Sequence, residues 1–215
     1  IEFDAVKGTE IEVHFTPSWM NSFFTNKRLQ RFFDNERPLF NVSSGMSEYN
    51  EIPVPTLAFN RVFILVHICR HFFYEGIGLR QMLDYYYVLC QGTTDGECKE
   101  TTEILKSLGM IRFARAVMYV LQTVFGMEDK YLLVDADEKE GRFLLDEILL
   151  AGNFGHHDPR VGYGRSASPL QLFWRRVGRS SRFVFRYPSE AIWNPIFKIV
   201  HFLYWRRDWS LFAGC

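Results

Sequence analysis

Apolar and polar positions first alternate at residues 10–15, where Ile11, Val13 and Phe15 stand between Glu10, Glu12 and His14. A period of two marks a half-buried strand. Lys7-Gly8 offers a turn, because glycine takes positive φ without steric cost, so residues 1–15 are expected to form a β-hairpin. The period then changes. Phe23, Phe24, Leu29, Phe32 and Phe33 recur at helical spacing among Lys27, Arg28 and Arg31, within a mixed stretch 16–40. Residues 41–56, rich in Ser, Gly, Asn and Pro, predict a loop or linker.

From Leu57 onward the spacing predicts helices over 57–74, 78–90, 97–108, 110–125 and 138–151. Thr56 is placed to cap the first of these, and Gly76, Gly92, Gly96, Gly109 and Gly152 mark ends and breaks. Residues 126–137 and the glycine-rich stretch 152–169 predict loops. Two last helices, 170–186 and 189–205, are separated by Tyr187-Pro188. Pro195, inside the second, is expected to kink it or shift its start. No repeat of fixed period is present. The pattern as a whole predicts an α+β chain that is mostly α.

Composition narrows the class. With 47% apolar and 17% aromatic residues the chain is too hydrophobic to be disordered, and 215 residues suffice for one large domain, or one domain plus a fragment of another. Four cysteines at 69, 90, 98 and 215 make neither a disulfide scaffold nor a paired metal spacing, so reduced thiols in a cytoplasmic setting are expected. No apolar run reaches the ~18–20 residues a membrane span needs, and no basic-then-apolar leader opens the sequence.

Net charge is zero, yet it is unevenly distributed. Residues 151–215 hold ten basic and three acidic side chains, a net of +7, and the first 150 hold fifteen and twenty-two, a net of −7. Internal pairing of the two parts is the expectation. A basic face toward phosphate, nucleic acid or a membrane surface ranks below it.

Several groups carry candidate chemistry. Glu12 is a carboxylate between Ile11 and Val13 on a strand. Its oxygens suit Mg²⁺, although an alternating strand also places such a residue outward for structural reasons alone. His67 and His71 share a helix face at i, i+4, but no Glu follows His67, so a contact between helix and loop is expected rather than a metal site. At the corner Glu75-Gly76-Ile77-Gly78-Leu79-Arg80, Arg80 and Asp84 can pair across one turn. Alternatively His71, Glu75, Arg80 and Asp84 form a polar cluster facing a cleft. Asp135 and Asp137 precede Glu138 and read as a helix-capping cluster. The loop from Gly152 to Arg165 combines four glycines with His156, His157, Asp158, Arg160 and Arg165. It can cradle phosphate, or be a structured polar loop, and it matches neither a P-loop nor a dinucleotide-binding fingerprint. A G-x-S-x-G elbow and a recognised RNA-binding module are both absent.

Three segments carry a family resemblance: IEVHFTPSWMNSFFTNKRLQRFF (11–33), VHICRHFFYEGIGLRQMLDYYYVL (66–89) and AGNFGHHD (151–158). They are similar to an uncharacterised bacterial nucleotidyltransferase-like family associated with polysaccharide biosynthesis. That resemblance implies an α/β catalytic domain followed by a helical domain. Its catalytic motifs are an early Gly-Ser turn, a D-x-D carboxylate pair and a later third carboxylate of apolar-acid-apolar form. Glu12 in IEVHF matches the third. The earlier two have no counterpart before Ile1, and Asp135 and Asp137 come in the wrong order to replace them.

The resemblance therefore implies that residues 1–50 are the C-terminal remnant of a nucleotidyltransferase domain and 51–215 a helical domain. Glu12 would be catalytic and a metal ligand, Mg²⁺ the cofactor, and an NTP and an acceptor the substrates, with the missing N-terminal half as partner. His71, Glu75, Arg80 and Asp84 would face the cleft, and Arg160 and Arg165 would meet triphosphate. A competing reading is a non-catalytic helical interaction module. A third is a peripheral membrane or nucleic-acid binder using the aromatic and basic residues of 170–207.

Overall fold

The computed structural model describes residues 16–43, 52–74, 76–152, 178 and 182–196. Within them the chain is α+β and mostly α: six α-helices up to residue 151, a further helical segment at 188–196, and a two-stranded antiparallel ribbon. The expected hairpin of residues 1–15 and the loop 152–169 (but for Gly152) lie outside the described residues.

Helix α1 (Phe23–Glu36) forms where the helical spacing of Phe and Leu predicted it, capped at its start by the Ser22 side chain. It turns Leu29 and Phe33 into the core and leaves Phe23 and Phe24 in solvent. The stretch expected to be loop or linker holds instead the ribbon of β1 (Asn41–Ser43) and β2 (Ile52–Val54), with Val42 opposite Pro53. Three-residue strands containing Asn, Ser and Pro carry no legible alternation. Proline is tolerated in a ribbon because each strand has a free edge.

Helix α2 (Leu57–Tyr74) is the axis of the fold. Thr56 caps it, its hydroxyl accepting from the Phe59 amide at 3.0 Å. Phe59, Val62, Leu65, Val66, Ile68, Cys69, Phe72 and Phe73 are all buried, so the helix is apolar around most of its circumference, as a central helix must be. It ends where Gly76, at φ 103°, lets the chain reverse. Helix α3 (Leu79–Leu89) returns along it, with the Gln81 side chain accepting from the Gly78 amide at 3.0 Å.

Helix α4 (Asp95–Ser107) begins two residues earlier than the spacing predicted, because Thr94 and Glu97 form a reciprocal capping box. Helix α5 (Ile111–Phe125) follows across Gly109 and buries Ala114, Ala116, Val117, Met118, Val120 and Leu121. Helix α6 (Glu138–Ala151) packs closely on α5. Asp137 caps it, accepting from the Glu140 amide at 3.0 Å, as the capping reading of the Asp135–Asp137 pair requires.

Residues 182–196 close the core. Phe183 is fully buried, its ring 4.8 Å from that of Phe72, and the Tyr187 ring lies 5.4 Å from that of Phe73. A helical segment, 188–196, starts at Pro188. Proline suits the first turn, where its missing N–H costs nothing. Pro195 therefore does not set the start of that helix. The charge asymmetry resolves partly into internal pairs: Arg186 meets Glu140 at 2.8 Å and Arg182 meets Glu147 at 3.8 Å, both acids lying on α6.

Candidate functional site

The described candidates from the sequence lie on α2 and α3. His71 sits in the last turn of α2, its ring edge-on to that of His67 with centroids 4.4 Å apart, so the two do share one face. Arg80 and Asp84 are exposed on α3, and among the described residues they form no ion pair with each other. Glu12, Glu75, Arg160 and Arg165 lie outside the described residues. Among the described residues no three His, Cys, Asp or Glu side chains converge to hold a metal ion. No described helix is long and apolar enough to cross a membrane.

Polar groups gather instead on another face of α2. Asn21, in the segment before α1, joins three distant parts of the chain. Its carboxamide oxygen accepts from the Tyr74 hydroxyl, and its carboxamide nitrogen donates to the Glu190 carbonyl at 3.2 Å. Its backbone amide donates to Glu190 Oε2, also at 3.2 Å. Beside it the Arg70 guanidinium lies 3.6 Å from the centre of the Trp19 ring, a cation–π contact. Glu190 Oε1 is enclosed, and no hydrogen bond reaches it. The Tyr187 hydroxyl is in the same condition.

Two recesses meet at Glu190. One, of about 10 Å³, has room for about a single water and lies between Trp19, Asn21, Arg70 and Tyr74. The other, of about 290 Å³, opens between the α4–α5 corner and residues 186–190. Met20, Cys69, Phe73, Met110 and Glu190 line both. His71, Arg80 and Asp84 line neither.

Burial sets the electrostatics. It raises the Glu190 carboxyl above its ordinary range, and the Asn21 hydrogen bonds only partly oppose this. It lifts the Cys69 thiol, with Glu190 adding to the effect. It carries the Tyr74 phenol to about 12 and raises Tyr187 as well. Around neutral pH Cys69, Tyr74 and Tyr187 are therefore uncharged; the cations nearby are Arg70 on one side and Arg112 and Arg186 on the other, with Arg186 paired to Glu140.

A family profile described as "Uncharacterised nucleotidyltransferase" matches residues 2–126. The chain belongs to that family. Two of the three segments that suggested it, 11–33 and 66–89, fall within the matched span, and 151–158 falls beyond it. The nucleotidyltransferase match thus runs through Glu12, α1, the ribbon, α2, α3, α4 and α5. No curated protein and no solved structure matches the chain.

The acid of the recess, Glu190, lies outside the span matched to the nucleotidyltransferase family, while Trp19, Asn21, Arg70 and Tyr74 lie within it. Reading the sequence did not single out any of these five. Glu190 is one of only three acids in a strongly basic stretch, directly after the Tyr187-Pro188 break, and that was the available signal.

Proposed function

We propose that this chain is part of an enzyme that transfers a nucleoside monophosphate from an NTP to an acceptor. The reading rests on one observation, the family match over residues 2–126, within which Glu12 stands in an apolar-acid-apolar strand pattern. In such a transfer an acceptor oxygen attacks the α-phosphorus, the bond to the β-phosphate oxygen breaks, pyrophosphate leaves and the acceptor gives up its proton. Mg²⁺ in such sites supplies charge neutralisation and holds the phosphates. Glu12 is the position to which the resemblance assigns a metal ligand, and the other carboxylates of a two-metal site are not among the described residues.

The resemblance of segments 11–33, 66–89 and 151–158 implies a bacterial protein acting in polysaccharide assembly in the cytoplasm, with the helices covering the cleft and holding the acceptor. A single carboxylate does not build a two-metal site, so the 215 residues alone are expected to give no turnover. Pyrophosphate release with Mg²⁺ and each of the four NTPs tests this. The full-length protein is expected to release pyrophosphate with one of them, and the 215-residue chain with none. Robust release by the chain alone contradicts the reading.

A second reading, a helical interaction module, is favoured by one observation. Phe23, Phe24 and Ile192 are exposed beside Trp193, whose ring meets that of Phe24 edge-on at 6.2 Å. An apolar strip of this kind is a feature of interaction surfaces.

A further inference from the structure

Two elements expose large apolar side chains side by side. Phe23 and Phe24, the first residues of α1, are 70% and 65% exposed, and Ile192 and Ile196 of the helical segment 188–196 are exposed as well. The Trp193 ring joins the two groups, edge-on to Phe24 at 6.2 Å, and Phe24 meets Phe23 in the same way at 6.1 Å. Asn21 holds the elements in this register through its two hydrogen bonds to Glu190. The rest of the outward face of α1 is basic. Lys27 stands four residues after Phe23, Arg31 four after Lys27, and Arg28 four after Phe24, so each apolar stripe runs into cations one turn later. All three cations are exposed. Lys27 and Arg31 enter no ion pair among the described residues, and Arg28 donates to the Ser107 carbonyl at 2.7 Å. Acids are kept from the strip: Glu190 is turned inward to Asn21, and the first acid of α1 is Asp34, near its far end.

We propose that this strip binds the surface of an anionic lipid bilayer. Phe23, Phe24, Ile192, Trp193 and Ile196 enter the boundary between headgroups and acyl chains, and Lys27, Arg28 and Arg31 meet the headgroup phosphates. Charge complementarity selects this partner: an apolar tip bordered by cations is the combination that an anionic interface takes up. Nucleic acid would answer the cations but not the aliphatic Ile192, Pro195 and Ile196, which are exposed and have no group to pair with a base edge. A second copy of the chain is the poorer occupant, because a two-fold contact through the strip brings two sets of three cations to one interface. The proposal commits the strip of the second reading to one partner and rests on that reading. It is independent of nucleotidyl transfer.

Co-sedimentation of the 215-residue chain with vesicles tests it, using phosphatidylcholine alone and phosphatidylcholine mixed with phosphatidylglycerol. Binding to the mixed vesicles is expected to be saturable, to weaken with added salt, and to be at least about tenfold tighter than to phosphatidylcholine alone. The double variant Phe23→Ala, Phe24→Ala is expected to lower binding to the mixed vesicles by at least about tenfold. Lys27→Glu with Arg31→Glu is expected to abolish the preference for the anionic lipid. The preference in the unaltered protein is read without any variant, so the claim stays testable if a variant fails to fold. No binding to the mixed vesicles, equal binding to both kinds, or binding that survives both double variants overturns the proposal. Sedimentation velocity separates its failure from that of the second reading. Self-association that Phe23→Ala, Phe24→Ala abolishes, without vesicle binding, gives the strip to a second copy and keeps that reading. Neither vesicle binding nor any effect of the two phenylalanines on association counts against both.

Discussion

Arg61, on α2, is fully buried. One nitrogen donates to the Gly92 carbonyl at 2.6 Å, and another faces Glu97 at 3.5 Å. The Tyr85 hydroxyl donates to the Arg61 carbonyl at 2.9 Å. These contacts tie α2 to α3 and to the turn after it. The bond to Gly92 is the important one, since Glu97 is half-exposed and its attraction is screened. Arg61→Met is therefore expected to cost about 2–4 kcal/mol in urea unfolding, by leaving the Gly92 carbonyl unsatisfied. Glu97→Gln, which keeps the capping box, is expected to cost under about 0.5 kcal/mol. Equal losses in the two variants would show that the ion pair, not the buried bond, holds the corner.

Glu190 makes a prediction in pH. Its carboxyl titrates higher folded than unfolded, so its stabilising contribution is complete below the ordinary glutamate range and is lost as pH rises through the folded value. Glu190→Gln cannot lose a proton, and its carbonyl can still accept from the Asn21 amide. Thermal melts of variant and parent should therefore nearly coincide at about pH 4 and separate with increasing pH, the variant being the more stable. A variant that is less stable throughout would mean that the ionised carboxylate is stabilising, against the burial argument. Neither Arg61 nor Glu190 was legible as a structural or site residue. In the sequence Arg61 is one charge within the largely apolar stretch 57–69, and Glu190 acquires its meaning from Asn21, 169 residues away.

At the scale of elements, α5 and α6 approach each other closely. A Cβ on Gly141 would lie 2.3 Å from the Cβ of Tyr119, well inside contact distance. Gly141 is thus required by packing although it sits inside a helix, where glycine is unfavourable by about 1 kcal/mol relative to alanine. Gly141→Ala sets the two effects against each other. Overpacking of a close helix pair is expected to win, with a net loss of about 1–3 kcal/mol that is partly recovered in a Gly141→Ala, Tyr119→Ala double variant. A stabilised single variant would show that α6 can move away freely.

The helices were the legible part of the fold for a physical reason. Thr56, Gly76, Asp137 and Gly152 are local punctuation, acting on residues three or four positions away, so their neighbours in sequence are enough to reveal them. The ribbon was not legible because its pairing is non-local and each strand is three residues long. The recess was not legible for the same reason. It exists only once the segment before α1, the end of α2, the α4–α5 corner and residues 186–190 are brought together.

For the molecule as a whole, zero net charge conceals two opposed parts that meet. Arg182 and Arg186, from the basic stretch, lie against Glu147 and Glu140 of α6, and the buried rings of Phe183 and Tyr187 dock the same segment on α2. Part of the basic stretch is thus committed to the fold. The central claim concerns the other end of the chain, where the family match includes Glu12. The most direct measurement is pyrophosphate release by the full-length protein and its Glu12→Gln variant, with Mg²⁺ and the NTP that the parent uses. Removing a metal-binding carboxylate from a phosphoryl-transfer site is expected to lower turnover by at least about a hundredfold while leaving the thermal midpoint nearly unchanged. Unchanged turnover in Glu12→Gln would remove Glu12 from the site and contradict the account.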